Sequence, residues 1–410
     1  MRCVLVVLLA LAGCDSSPCE DAVLLTACPD CGPGQVRAGV TAGGAAGSVV
    51  RPGGGIARIG CETHLVRHDA AFEQDTDVGL YVQGAPELEG VTADDIALVV
   101  DRLEGGTELV AVARSGTEVW RISTAASDIG MVAAGDQVIA YGQSADPLGF
   151  GDFTVAGLFA VALGAADGQP RWAWSSPQDF QAAITAAGSD DGSVVVGGVF
   201  TGALELGGTS APVNAGAAAG FVGMLDASGA GVWARQLIGP AASDVAVLAR
   251  GADGSVAVAG GFSGGTLDLD TVVLHPGGAV SDQFVAVLEA DGTPRWGTLL
   301  GDATIEPLEA MAVTDADVVV GGRNADALSF GGETVPQQID AWIASLGDGS
   351  VTWLVQLGGA GTQLIASLGW NGALHASVVQ YAAEGDPPAS LDFHDASLEG
   401  DGVLHLELAP

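Results

Sequence analysis

Three observations predict an all-β fold, a β-propeller of about six four-stranded blades, with seven as the alternative count. First, Trp120, Trp172, Trp233, Trp296 and Trp353 recur at near-regular intervals of 52 to 63 residues, too long for a leucine-rich or helical repeat. Second, each closes a similar phrase (VARSGTEVW, GAADGQPRW, LDASGAGVW, LEADGTPRW, LGDGSVTW), with a β-rich run before it and another after it. Third, those runs are apolar on both alternate faces, as in Val256-Ala257-Val258-Ala259. A strand of that kind must be covered on both sides, and small antiparallel sheets stacked radially cover one another in this way.

Composition narrows the classes. Of 410 residues, 48% are hydrophobic, 15% are charged and 63 are Gly, which gives ample core material and many turns without a collagen period. The net charge is -37, and all 13 basic residues are Arg. So acidic a surface repels phosphate backbones and disfavours nucleic acid, while leaving cations and basic partners open.

In chain order, Met1-Arg2 precedes an apolar run from Val4 to Leu11. The run is shorter than the roughly 20 residues of a membrane-spanning helix and has the proportions of a signal-peptide core. It ends in Leu11-Ala12-Gly13-Cys14, which resembles the lipobox of bacterial lipoproteins. The resemblance implies a signal peptide at 1–13 and a lipid on Cys14 that anchors the chain to a membrane of the bacterial cell envelope. The outer membrane or cell surface is favoured over the inner membrane.

Residues 14–55 read as a Cys-containing, Gly- and Ala-rich tether, and 56–410 as the propeller. Export favours disulfides among Cys19, Cys28, Cys31 and Cys61, with all three connectivities open. A four-Cys zinc site is the rival, on the spacing of Cys28 and Cys31.

Within 56–410, Gly turns containing Asp or Ser join the β-rich runs to the Trp strands, which is a hairpin signal. Runs ending in Gly (VIAYG at 138–142, VVVGG at 194–198, VAVAGG at 256–261, VVVGG at 318–322) mark the units, with VGLYVQG at 78–84 and ALHASVV at 373–379 as outer copies. The last strand, VLHLELAP, has no Trp strand after it. A strand near 56–66 is expected to close the ring by pairing N-terminal with C-terminal strands.

Residues 233–264 resemble the repeat of bacterial SBBP-type propellers at Trp233, Gly239, Asp244, Asp253, Gly254, Gly261 and Phe262. The likeness covers roughly 120 to 360; after Trp172 the Gly-rich turn is missing. LDASGAGVW is also similar to the PQQ-type repeats of quinoprotein dehydrogenases and of an outer-membrane assembly lipoprotein. The SBBP resemblance implies an extracytoplasmic structural or binding propeller and brings no catalytic residues.

Candidate chemistry is sparse. Gly261-Phe262-Ser263-Gly264-Gly265 fits the nucleophile-elbow string, but it lies between strands rather than at a strand-to-helix turn. Asp75/Asp77, Asp190/Asp191, Asp253, Asp268/Asp270 and Asp315/Asp317 fall at turns and lack the Ca²⁺-loop spacing. Ca²⁺ is the one cofactor they leave open. His64 and His68 sit in a strand or loop, and His375, His394 and His405 share the last unit without a metal pattern. The five repeat Trp residues are expected to anchor blade packing. Trp174, Trp342 and Trp370 stand outside that register and are the candidates for a ligand surface.

The reading is a monomeric, lipid-anchored binding or scaffold propeller for a protein or glycan, without a nominated catalytic residue. The rivals are a propeller enzyme, either a quinoprotein-like oxidoreductase or a glycan-acting hydrolase or lyase, and an envelope-protein assembly factor.

Overall fold

The structure is a computed structural model. It describes residues 24–408 apart from 27–35, 43–47, 52–55, 61–63, 69–73, 84, 127, 177–183, 211–213, 239–241, 277–280, 303–307, 325–327, 331–332, 336–339, 382–389, 394–395 and 400–401. Every described element is a β-strand. The chain falls into two compact units, one of residues 82–308 and 348–350, the other of 1–81, 309–347 and 351–410.

The first of these units holds four antiparallel meanders: sheet 2 (85–124), sheet 3 (128–176), sheet 4 (184–237) and sheet 5 (242–302). The second holds sheet 1 (48–79), sheet 6 (310–357) and sheet 7. Sheets 2 to 7 carry the six units marked by the sequence. Sheet 1 is an additional four-stranded sheet, so seven sheets of four or more strands occur among the described residues. Its last strand, Gln74–Gly79, contains the start of VGLYVQG. That run is therefore not the inner strand of sheet 2, a place taken by Ala97–Leu103.

Sheet 7 joins the two ends of the chain. Its strands Thr362–Trp370, Leu374–Tyr381 and Gly402–Leu408 continue into Val36–Ala42, which pairs antiparallel with Gly402–Leu408 from Val36↔Leu408 to Ala42↔Val403. Closure by N- and C-terminal strands is thus present, but the closing strand is 36–42 and not 56–66. The expected tether contains strands at Val36–Ala42 and Ser48–Val50. Few large side chains are needed there, because the neighbouring strand supplies the hydrogen bonds and tertiary pairing overrides weak local propensity.

The doubly apolar strands are covered on both faces as expected. Val256, Ala257, Val258 and Ala259 are at most 1% exposed, and their neighbours Leu248, Phe262, Phe284 and Leu288 form one apolar cluster. Neighbouring sheets in the 82–308 unit are also stapled by indoles. Trp120 Nε1 donates to Ala165 O at 2.9 Å, Trp172 Nε1 to Ala227 O at 3.0 Å and Trp233 Nε1 to Ala290 O at 2.9 Å. Each acceptor is a carbonyl in the hairpin turn of the following sheet, so these three indole donors each find a partner in the next repeat.

Candidate functional site

The site is a cleft of about 490 Å³ in the 82–308 unit, where sheet 5 meets sheet 4. It opens where the first strand of sheet 5 is interrupted. Ala242–Ser243 and Val247–Arg250 both pair with Val256–Ser263, and Asp244 lies in the gap. The gap does not orphan the backbone: Asp244 N donates to Gly261 O at 2.9 Å, and Gly261 N donates to Asp244 Oδ1 at 2.7 Å. Ser243 ties the strand to sheet 4, accepting from Gly220 N at 2.9 Å and donating to Leu237 O at 2.7 Å.

Across sheet 5, Ser243, Phe262, Asp282 and Asp302 occupy one row of cross-strand partners. Asp282 lines the cleft and is 1% exposed. Burial raises the Asp244 carboxyl above the usual carboxylate range, and the Gly261 N–H opposes this only in part. Asp244 forms no ion pair among the described residues. Val199, Ala246 and Leu308 supply apolar wall. A cleft with this lining attracts a cation or a donor-rich group and repels anions.

The residues singled out by sequence have other places. Trp174 and Trp342 are 6% and 0% exposed, and Trp370 packs on the apolar cluster of sheets 6 and 7. Trp174 and Trp342 are therefore core, while Trp370 is partly buried and its Nε1 reaches Asp315 Oδ1 at 3.4 Å. Trp174 Nε1 donates to Glu205 O at 2.8 Å, in the small hairpin Glu205–Leu206/Thr209–Ser210 of the next sheet. Trp296 and Trp353 stand on the fourth strands of their sheets like their repeat siblings.

Most turn acids do local work. Asp191, Asp253 and Asp268 accept from the backbone N–H two residues on, at 2.8 to 2.9 Å, and Asp75 pairs with Arg51 at 3.2 Å. Ser263 of the elbow-like string ends a strand and faces Ser281 and Ala242 in register, with no helix after it. His64 Nδ1 meets Asp77 Oδ1 at 2.6 Å. His375 is buried, contacts Asn371 Oδ1 through Nε2 at 3.2 Å, and is pushed down to about 4 by burial. His405 lies opposite Ser377 in register. Among the described residues no three metal-ligating side chains converge. Cys14, Cys19, Cys28, Cys31, Cys61 and His394 lie outside the described residues.

Two features escaped the sequence reading. Asp282 is the second residue of the third strand of sheet 5, and its signal was an acid just ahead of an apolar run (DQFVAVL), shared with Asp340 in DAWIASL. Glu89 lies at a bulge of sheet 2, and no local pattern marks it.

No family model matches the chain, and no curated protein matches it. Solved structures do. U3-55K aligns over 89% of this chain and 95% of its own at 12% identity, TM-score 0.52. The WD40 repeats of RRP9 align over 89% and 94% at 12% identity, TM-score 0.52. Hydrazine synthase of Kuenenia stuttgartiensis aligns over 84% and 96% at 14% identity, TM-score 0.52. The fold is a β-propeller. At such identities the likeness concerns the fold alone, and the sheets are its blades.

Proposed function

We propose that this propeller is a lipid-anchored binding module of the bacterial cell envelope, of the SBBP-type repeat class, which captures a cationic group of a protein partner in the Asp244–Asp282 cleft. The anchor rests on the lipobox-like Leu11-Ala12-Gly13-Cys14, and the repeat class on the residues shared from Trp233 to Phe262. The observation that carries the binding reading is the cleft itself: it holds two carboxylates, and Asp244 is raised by burial with no cation to offset it among the described residues. A guanidinium or ammonium entering there supplies the missing charge and donates to oxygens already held in place, a charge-assisted contact stronger than a neutral hydrogen bond. The excess of acid over the whole chain steers such a partner toward the surface before it docks.

Calorimetric titration with N-acetyl-arginine methylamide, and with the glutamate analogue as control, tests this. The arginine compound binds and the glutamate compound does not, and Asp244→Asn weakens binding by about tenfold, the scale of one charged hydrogen bond. Equal binding of both compounds, or an unaffected Asp244→Asn protein, refutes the reading. The anchor is tested separately, because Cys14→Ser abolishes incorporation of labelled palmitate.

A further inference from the structure

We propose that the contact between the blades 85–124 and 128–176 is a proton-operated joint, closed when Glu89 carries a proton and loosened when it does not. The argument begins in the backbone. The first strand of the earlier blade, Ala85–Val91, pairs Leu88 with Val99 and then Gly90 with Leu98, which leaves Glu89 as the extra residue of a β-bulge. A bulge re-aims its side chain out of the regular alternation. Here the carboxyl turns to the neighbouring blade and accepts from the N–H of Met131, on the strand Asp128–Ala134. Met131 is 1% exposed, and Leu88 and Leu98 are buried beside the bulge.

The charged and titratable groups around Glu89 come from every strand packed there. Glu87 is on its own strand. Arg102 is on the next one and is bound to Glu87 at 2.8 Å. Asp101 precedes Arg102 and is occupied by Gln83 N at 2.8 Å. From the other blade come Asp128 and Tyr141, and Tyr141 lies flat over Gly130, where a Cβ would stand 2.8 Å from its Cζ. Among the described residues Arg102 is thus the cation that faces Glu87, Glu89 and Asp128 together. An ionised Glu89, itself half-buried, adds charge to a joint that already has an acid excess. A protonated Glu89 removes that repulsion and turns one oxygen into a donor.

Burial first, and Glu87 second, push the Glu89 carboxyl up to about 7. In an opened joint it returns toward its ordinary value. The sign follows by linkage: the open form gains over the closed form as pH rises from the ordinary carboxylate value to about 7, and the gain levels off above that. Tyr141 moves the same way, raised chiefly by burial, and stays neutral throughout.

Hydrogen exchange of the amides of 85–91 and 128–134, corrected for intrinsic chemistry and followed from pH 4.5 to 8.5, tests the joint in the whole protein. Opening in the wild type increases by up to about tenfold per pH unit until neutrality and then plateaus. In Glu89→Gln it keeps the low-pH protection across the range. Wild-type protection that does not change with pH, or a Glu89→Gln profile that follows the wild type, overturns the proposal. A ¹³C-carboxyl titration of the wild type guards against a variant that fails to fold, and a Glu89 midpoint at the ordinary carboxylate value overturns the proposal by itself.

Discussion

Trp172 and Ala227 form an inter-blade staple: the indole Nε1 donates to the Ala227 carbonyl oxygen at 3.0 Å, and Gln137 Nε2 donates to the same oxygen at 2.8 Å. Two residues further on, Gly229 lies under the indole with φ of 81°, and a Cβ there would be 2.6 Å from Trp172 Cδ2. Gly168 under Trp120 and Gly292 under Trp233 repeat the arrangement. The Gly of these three turn phrases therefore serves two needs, a left-handed backbone and a flat seat for the Trp of the preceding blade. Gly229→Ala violates both and should cost about 3 kcal/mol in denaturant unfolding. Trp172→Phe, which loses the donor together with part of the ring, should cost about 1 kcal/mol beyond its change in volume.

The staple is missing at Trp353. Trp353 Nε1 is buried and has no hydrogen-bond partner among the described residues. The following blade, sheet 7, has no hairpin between its third and fourth strands, since those strands come from opposite ends of the chain. Removing an unsatisfied buried donor relieves a desolvation cost. Trp353→Phe should accordingly destabilise by about 1 kcal/mol less than Trp172→Phe, and chemical denaturation of the two variants in parallel measures the difference. Equal losses would show that the Trp353 indole has an acceptor.

The architecture was legible because the repeat writes the same physics several times. The Trp phrases, Asp-Gly turns and doubly apolar strands each follow from a packing need visible in composition and spacing. What stayed hidden depends on pairing over long sequence distances. Val36–Ala42 looks like a spacer until Gly402–Leu408 lies beside it. Trp174 and Trp342 leave the repeat register yet are buried by neighbouring sheets. A further signal was present and overlooked: LELGGTS, LDLDTVVL and LSFGGETV recur between the second and third strands and form small hairpins. Leu204, Leu206 and Leu267 of these phrases are at most 1% exposed. The cleft was less legible still. Asp244 was read as repeat grammar, and only the interrupted strand and the cleft it shares with Asp282 make it a site.

His375 gives stability a pH dependence of opposite sign to that at Glu89. Burial holds its imidazole at about 4, below the ordinary histidine value, so the folded state keeps it neutral where the unfolded chain takes up a proton. Its contribution is complete above the unfolded value and is lost as pH falls from about 6.5 toward 4, by up to about 3 kcal/mol. Thermal unfolding of wild type and His375→Gln over that interval checks it. The wild type should lose stability more steeply on acidification, and parallel slopes would place the pH dependence elsewhere.

The closing strand supplies the last test. Val36–Ala42 is hydrogen-bonded to Gly402–Leu408 over the register Val36↔Leu408 to Ala42↔Val403, and Gly402–Leu408 in turn pairs with Leu374–Tyr381. Deleting 36–42 exposes one edge of Gly402–Leu408, a row of unpaired donors and acceptors that templates association between copies. If 36–42 were merely a spacer, the deletion would leave the melting temperature unchanged. As a closing strand its loss should lower the melting temperature by several degrees, on the scale of about 4 °C or less per kcal/mol for a chain this large, and should shift the protein toward oligomers in light scattering.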